Sequence, residues 1–159
     1  MASKKISAGI LLYRTVSERL EVFLVHPGGP FWATRDKGSW SIPKGELIEG
    51  AEPLETAKRE FLEETGSPAD GVFTELTPVR QAGGKLVFAW AVRGDIDASS
   101  LKSNTFSMEW PPRSGMQQVF PEVDRGEWFA VSVASQKILE GQLGFIEELQ
   151  RKLGAQRPE

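Results

Sequence analysis

The chain has 159 residues, a length that suits one domain, and its 40% hydrophobic and 26% charged residues are an ordinary globular composition. It contains no cysteine and one histidine, which excludes disulfides, thiolate metal sites and histidine-rich metal sites, so any metal must be held by oxygen. The net charge of −3 and the lack of a basic run give no support for general binding to nucleic acid or membrane surfaces.

The longest apolar runs, such as residues 87–92, have the length of a strand, and no apolar signal core follows the first five residues. We therefore expect a soluble, cytoplasmic protein that forms a single domain over residues 1–159, with a frayed end at residues 157–159.

Apolar and alternating stretches predict strands at residues 6–13 and 21–26, joined by a polar turn at 15–19. A loop rich in glycine and proline then runs from His26 through Gly38 and ends in residues 40–45, and loops of this length in compact domains are often functional. We expect His26, at the end of a strand, to be structural rather than catalytic.

A helix is predicted over Pro53–Thr65, because Pro53 suits its first position and Gly66 can terminate it. Strands at 72–81 and 86–92 follow, and a second long loop extends to residue 120. A strand at 127–131, a helix at 132–139 and a helical segment at 145–153 complete the order. Strands and helices mix without strict alternation, which predicts an α+β fold with a mixed β-sheet sandwiched between α-helices.

Three glutamates share one face near the end of the helix predicted over Pro53–Thr65. At about 100° per residue, Glu60, Glu63 and Glu64 fall within an arc of ~100°, beside an apolar arc that can face the core. This is a poor choice for a purely structural helix, because Glu60 and Glu64 repel each other at i,i+4 and all three lie at the negative end of the dipole. A divalent cation would reverse that cost. Oxygen ligands favour Mg²⁺ or Mn²⁺, with Ca²⁺ possible on ligand chemistry alone.

The segment from Gly45 to Ser67 resembles the Nudix box. That pattern runs glycine, five residues, glutamate, seven residues, then Arg-Glu-apolar-any-Glu-Glu-any-Gly-apolar. Ala51 stands in place of the first glutamate, and Ser67 in place of the last apolar residue. The other seven of the nine defined positions agree: Gly45, Arg59, Glu60, Phe61, Glu63, Glu64 and Gly66.

The resemblance implies the Nudix fold and hydrolysis of a pyrophosphate linkage in a nucleoside diphosphate derivative, which would be a dinucleoside polyphosphate, a nucleoside triphosphate or a nucleotide sugar. Water would attack phosphorus, assisted by Mg²⁺ or Mn²⁺ on carboxylates, since a diphosphate needs its dense negative charge neutralised. Glu60, Glu63 and Glu64 are the implied metal ligands, and Glu63 and Glu64 the implied catalytic residues.

Three further charged residues are candidates. Arg59 is expected to orient the carboxylates, with direct phosphate contact as the alternative. Lys44, just before the box, is either a phosphate ligand or a solvated surface lysine. Glu122 resembles a position from which some family members supply an extra metal ligand or the general base; the alternatives are an exposed loop acid, or Glu127 in that role.

Aromatic rings in the predicted loops are candidates for stacking a nucleobase: Trp32, Trp40, Phe106 and Trp110. We take Trp40 and Trp110 as substrate-binding candidates, although loop tryptophans also often only cover the edge of a core. The substrate itself is not decided by the sequence, because the expected specificity element is the loop at 104–115.

Ala51 keeps a second hypothesis open, in which the protein is a nucleotide-binding or regulatory module of the same fold with weak or no catalysis. Glu49 or Glu52 would have to replace the missing carboxylate for the first hypothesis to hold at full rate. A dedicated calcium site is disfavoured, because the closely alternating oxygen ligands of a calcium loop are missing from the sequence.

Overall fold

The computed structural model describes residues 5–155, so the frayed end expected at 157–159 lies outside the described residues. Single 3₁₀ turns lie at Ala82–Gly84, Ala98–Ser100 and Glu140–Gln142. The strands and α-helices in this range are β1 Ile6–Val16, β2 Arg19–Pro27, β3 Lys44–Glu46, α1 Pro53–Thr65, β4 Thr74–Arg80, β5 Leu86–Arg93, β6 Thr105–Glu109, β7 Gln117–Pro121, β8 Val123–Ala130, α2 Val131–Lys137 and α3 Leu143–Ala155.

The strands form one large mixed sheet and one small hairpin. The large sheet has the order β4-β5-β1-β2-β8, with β3 also paired to β1. The pair β1–β5 is parallel and the other pairs are antiparallel. Strands β6 and β7 pair with each other in a separate antiparallel ribbon.

Helices cover both faces of the large sheet. Successive side chains of a strand point to opposite faces, so neighbouring residues of one strand pack against different helices. On β1, Ile10 packs in a cluster with Phe61 of α1. The next residue, Leu11, packs in a second cluster with Ala134 of α2 and Phe145 of α3. The prediction of an α+β fold with a mixed sheet sandwiched between helices is therefore confirmed.

Helix α1 has the predicted bounds, and its end is tied to a distant part of the chain. Gly66 caps the helix with a φ of 80°, and its N–H donates to the carbonyl of Leu62. The carbonyls of Glu63 and Thr65 accept hydrogen bonds from the N–H groups of Asn104 and Lys102, each at 3.0 Å. These bonds satisfy carbonyls that a helix end leaves open, and they hold residues 102–104 against the helix.

Two predictions of irregular structure were wrong. The long loop predicted to reach residue 120 contains the β6–β7 hairpin, whose strands have only five residues each and are half exposed. The segment 44–46 forms β3 only through its pairing with β1. Such short strands depend on tertiary pairing rather than on a local pattern.

Other boundaries moved by a few residues. The turn between β1 and β2 is tighter than predicted, with only Ser17 and Glu18 at positive φ, and this turn geometry matches the twist of the two longer strands. Strand β8 starts at Val123 rather than at 127. Within residues 5–155, no helix is both long and apolar enough to cross a membrane.

Candidate active site

Five glutamates line a single cleft of about 280 Å³ at the end of α1, and four of them are residues that the sequence predicted for the site. Glu60, Glu63 and Glu64 come from the helix, and Glu122 comes from the junction between β7 and β8. The structure thus brings together acidic residues that are about 60 positions apart in the sequence. The remaining residues that line the cleft are Lys44, Gly45, Glu46 and Asn104.

A series of backbone hydrogen bonds places Glu122 opposite the helix. The N–H of Asn104 donates to the carbonyl of Glu63, and the N–H of Glu122 donates to the carbonyl of Asn104 at 2.8 Å. The N–H of Gly28 in turn donates to the carbonyl of Glu122 at 2.9 Å. A Cβ on Gly28 would overlap the carbonyl oxygen of Pro121, so this close approach requires glycine. Glu122 is therefore fixed through its backbone while its side chain stays exposed.

Gly45, the first residue of the box, is required by the approach of α1 to β3. A Cβ at this position would overlap the carboxylate carbon and one oxygen of Glu60. The φ of Gly45 is not in the left-handed region, so glycine is required here by the lack of space for a Cβ and not by the backbone conformation. The glycine lets the Glu60 carboxylate lie directly against the strand.

Burial and crowding raise the affinity of two carboxylates for protons. The pKa of Glu64 rises from 4.5 to about 8, first because of burial and then because Glu60 and Glu122 oppose a second negative charge; Lys44 partly offsets this. The pKa of Glu60 is raised by burial and then by Glu63, while Arg59 opposes the rise. In the metal-free protein, the cleft carries more negative charge than its own cations neutralise.

The two cations at the site act differently. Arg59 lies 3.4 Å from an oxygen of Glu60 and 3.9 Å from an oxygen of Glu63, which suits the expected role of orienting the carboxylates. Lys44 contacts the site through its backbone, whose N–H donates to Glu64 at 3.2 Å. Its half-buried side chain has a pKa lowered to about 8, by burial and then by the ammonium of Lys85.

The donor set of the cleft fits a hard cation. It contains carboxylate oxygens from five residues and no sulfur or imidazole group, which is the chemistry that Mg²⁺ and Mn²⁺ prefer. Within residues 5–155, no three His, Cys, Asp or Glu side chains are placed so that they could hold a metal ion by themselves. Mg²⁺ commonly takes only one or two protein carboxylates and completes its shell with water and substrate phosphate.

No neighbouring carboxylate replaces the one missing at Ala51. Glu49 and Glu52 are both exposed, and among the described residues neither pairs with Arg59 or lines the cleft. The N–H of Ala51 donates to the carbonyl of Ile48, which shapes the turn before α1. Ser67, the other departure, donates its N–H to the side-chain oxygen of Thr65.

The two tryptophans chosen as substrate-binding candidates lie away from the carboxylates. The choice of Trp40 was wrong: its ring is 1% exposed and donates a hydrogen bond to Asp36, so it belongs to the core. Trp110 is half buried, packs edge-on against Phe31 and lines neither cleft of the site. Trp32 instead lines a second cleft, of about 200 Å³, that shares Lys44, Glu64 and Glu122 with the first.

Two residues that the sequence left open have clear places. His26 is 1% exposed, and its ring nitrogens lie 2.9 Å from Asp124 and 2.6 Å from the carbonyl of Arg35, which is a structural position. Glu127 lies within β8, opposite Leu24, and lines neither cleft. Among the two acids, Glu122 is therefore the one at the site.

Sequence reasoning missed Asn104, and it named Trp32 as a stacking candidate without choosing it over Trp40 and Trp110. Asn104 lines the carboxylate cleft and carries the backbone link to Glu122. It belongs to no motif, so only the pairing of residues 102–104 with α1 reveals it. Trp32 and Trp40 look alike in the sequence because both follow glycines and lie in the same loop; burial alone separates them.

The comparisons with known proteins agree with this geometry. The NUDIX domain model matches residues 3–149, so the chain belongs to the NUDIX family. The expected class, a Nudix-type pyrophosphohydrolase, is confirmed at the level of that family. A search of curated proteins found no match.

Solved structures share the fold. The Ap4A hydrolase of C. elegans, in a binary complex, has a TM-score of 0.66 and 18% identity, over 95% of this chain and 98% of that chain. The NUDIX domain of Shewanella oneidensis NrtR, complexed with ADP ribose, has a TM-score of 0.65 and 16% identity, over 96% and 90%. A mutT/nudix family protein from Listeria innocua has a TM-score of 0.64 and 13% identity, over 98% and 97%.

The contact between Gly45 and Glu60 predicts that Gly45→Ala weakens Mg²⁺ binding by about 10- to 100-fold, the range typical when a group that orients metal ligands is disturbed. The added methyl would displace the Glu60 carboxylate. Calorimetric titration with Mg²⁺ measures the change. Gly154→Ala is the control, because a Cβ at Gly154 meets open space. An unchanged Mg²⁺ affinity in Gly45→Ala would contradict the inferred contact.

The raised pKa of Glu64 predicts the pH dependence of the metal-free protein. Between about pH 4.5 and 8 the folded state holds a proton that the unfolded state has lost, so the free energy of unfolding falls as pH rises through this window. Glu64→Gln should remove most of this fall. Urea unfolding with a chelator at pH 5 and pH 8 measures it, and Glu55→Gln, whose side chain is 71% exposed, is the control. Equal slopes for wild type and Glu64→Gln would refute the assignment.

Proposed function

We propose that this protein is a Mg²⁺- or Mn²⁺-dependent hydrolase of a pyrophosphate linkage in a nucleoside diphosphate derivative. It acts as a single cytoplasmic domain over residues 1–159 on a small nucleotide substrate. Dinucleoside polyphosphates, nucleoside triphosphates and nucleotide sugars are the candidate substrates. The observation that carries the proposal is the meeting of Glu60, Glu63, Glu64 and Glu122 in one cleft.

The carboxylates divide into ligands and a proton acceptor. Glu60, Glu63 and Glu64 hold the cation, which when bound neutralises phosphate oxygens and lowers the pKa of a water molecule. Glu122 has an exposed side chain on a fixed backbone, a position from which it can accept the proton of the attacking water or add a ligand. Glu63 and Glu64 belong to the catalytic set with Arg59 as the residue that orients them.

The charge of the site supports a substrate that arrives with its cation. Burial, and after it the like charge of neighbouring glutamates, raises the pKa of Glu60 and Glu64, and the same negative charges would repel a free anionic phosphate. A cation shared by the phosphate and these carboxylates would offset the repulsion among the carboxylates and the repulsion between them and the phosphate. Lys44 lines both clefts and offers the only ammonium among the residues named for either cleft, which supports its proposed contact with the phosphate chain.

Ala51 supports the second candidate function, a nucleotide-binding or regulatory module with weak or no catalysis. Neither Glu49 nor Glu52 supplies the carboxylate that the box has at this position. The NUDIX domain of Shewanella oneidensis NrtR binds ADP ribose in its solved complex, and a comparable binding role is the alternative for this chain.

The first proposal predicts turnover in a panel of nucleoside diphosphate derivatives with Mg²⁺, with product identification to show which linkage is cleaved. Glu63→Gln should lower kcat/KM at least about 100-fold, since even residues that only support metal ligands contribute 10- to 100-fold. Glu55→Gln, on the exposed side of the same helix, should keep wild-type rates. A folded wild-type protein that turns over no member of the panel would refute the proposal, as would equal rates for wild type and Glu63→Gln.

The second proposal predicts that wild-type protein binds nucleotides in calorimetry without forming products, and that Ala51→Glu raises kcat about 10-fold or more by supplying an acid–base or orienting carboxylate. Ala51 is half exposed, so the longer side chain can be accommodated. Ala51→Gln is the matched control, because it has the same length without the charge. A fast wild-type enzyme that Ala51→Glu leaves unchanged would show that the departure does not silence the site.

A further inference from the structure

The second cleft, beside the carboxylates, has the character of a binding slot for a flat apolar group. Its walls include the buried side chains of Val25, Ile42 and Val123, and Trp32 stands at its edge with 37% of its surface exposed. The cleft shares Glu64 and Glu122 with the carboxylate cleft. A group bound in the slot would therefore lie next to a phosphate bound at the carboxylates.

We propose that Trp32, with the guanidinium of Arg35 over its ring, is the platform on which the base of the substrate nucleoside stacks. The guanidinium carbon of Arg35 lies 5.7 Å from the centre of the Trp32 ring. Aromatic rings bind bases through their faces with little dependence on base identity, and an arginine beside the ring adds a cation–π contribution. This inference rests on the proposed function and assigns the residue that would bind the base of the nucleotide substrate.

Hydrogen bonds and an ion pair tie the loop that carries Trp32 to the body of the protein. The N–H of Arg35 donates to the carbonyl of Trp32 at 3.0 Å, and the carbonyl of Arg35 accepts from the buried ring of His26 at 2.6 Å. The next residue, Asp36, accepts a hydrogen bond from the indole of Trp40 and forms an ion pair with Lys137. An ordered loop loses little conformational entropy when it binds a base, which favours affinity.

The β6–β7 hairpin supports this loop from the other side. Phe106 fills the space beside Gly29, where a Cβ would lie 2.9 Å from its ring. Trp110 packs edge-on against Phe31 with ring centres 5.4 Å apart. The hairpin thus packs against the loop at 28–35, which carries Trp32. Residues 104–115, expected to set specificity, would then do so by positioning Trp32.

Calorimetry with AMP and ribose 5-phosphate, each with Mg²⁺, tests the platform separately from the chemistry. Wild-type protein should bind AMP about 5- to 150-fold more tightly than ribose 5-phosphate, which is the value of one base stack expressed as an affinity ratio. Trp32→Ala should abolish the difference while leaving the affinity for ribose 5-phosphate unchanged. Trp32→Phe should keep most of it. Val72→Ala, at an exposed apolar residue outside both clefts, should behave as wild type.

The inference is overturned if wild-type protein binds the two ligands equally, or if Trp32→Ala keeps the preference for AMP. It is also overturned if Trp32→Ala loses both ligands while the urea midpoint shows a folded protein, since that result assigns no role to the base. Failure of the proposed function is a separate outcome, visible as binding of AMP without turnover of any pyrophosphate.

Discussion

The site depends on holding five carboxylates together against their mutual repulsion. Burial and like charge raise the pKa of Glu64 to about 8 and also raise that of Glu60, so the metal-free arrangement is held by contacts outside the carboxylates themselves. The contacts are backbone hydrogen bonds from the open end of α1 through Asn104 to Glu122 and Gly28. Bonds between backbone groups are indifferent to the charge of the side chains, which is why they can keep like charges close.

The hydrogen bonds between α1 and residues 102–104 also bear on where the β6–β7 hairpin and the Trp32 loop lie. Tying residues 102–104 to α1 fixes where the β6–β7 hairpin starts, and the hairpin packs on the loop that carries Trp32. Glycines stand where the segments approach most closely, at Gly45 beside Glu60 and at Gly28 beside Pro121. These close approaches also place the carboxylate cleft next to the cleft lined by Trp32.

The NUDIX family assignment and the departure at Ala51 bear on different parts of this site. The family's glutamates on α1 are present and face the cleft, which supports the proposed metal binding. Ala51 precedes α1, so the departure leaves the number of glutamates on the helix unchanged.

Local patterns in the sequence predicted the α+β class, helix Pro53–Thr65, the main strands and the acidic face of α1, because periodicity and helix-end residues act within a few positions. They did not separate Trp32 from Trp40, or reveal β3, the β6–β7 hairpin and Asn104. These depend on contacts between segments that lie far apart in the chain. The sequence determined which charged residues a helix gathers on one face, and only the tertiary structure decided which loop acid and which ring complete the clefts, since burial and backbone pairing are not encoded in spacing.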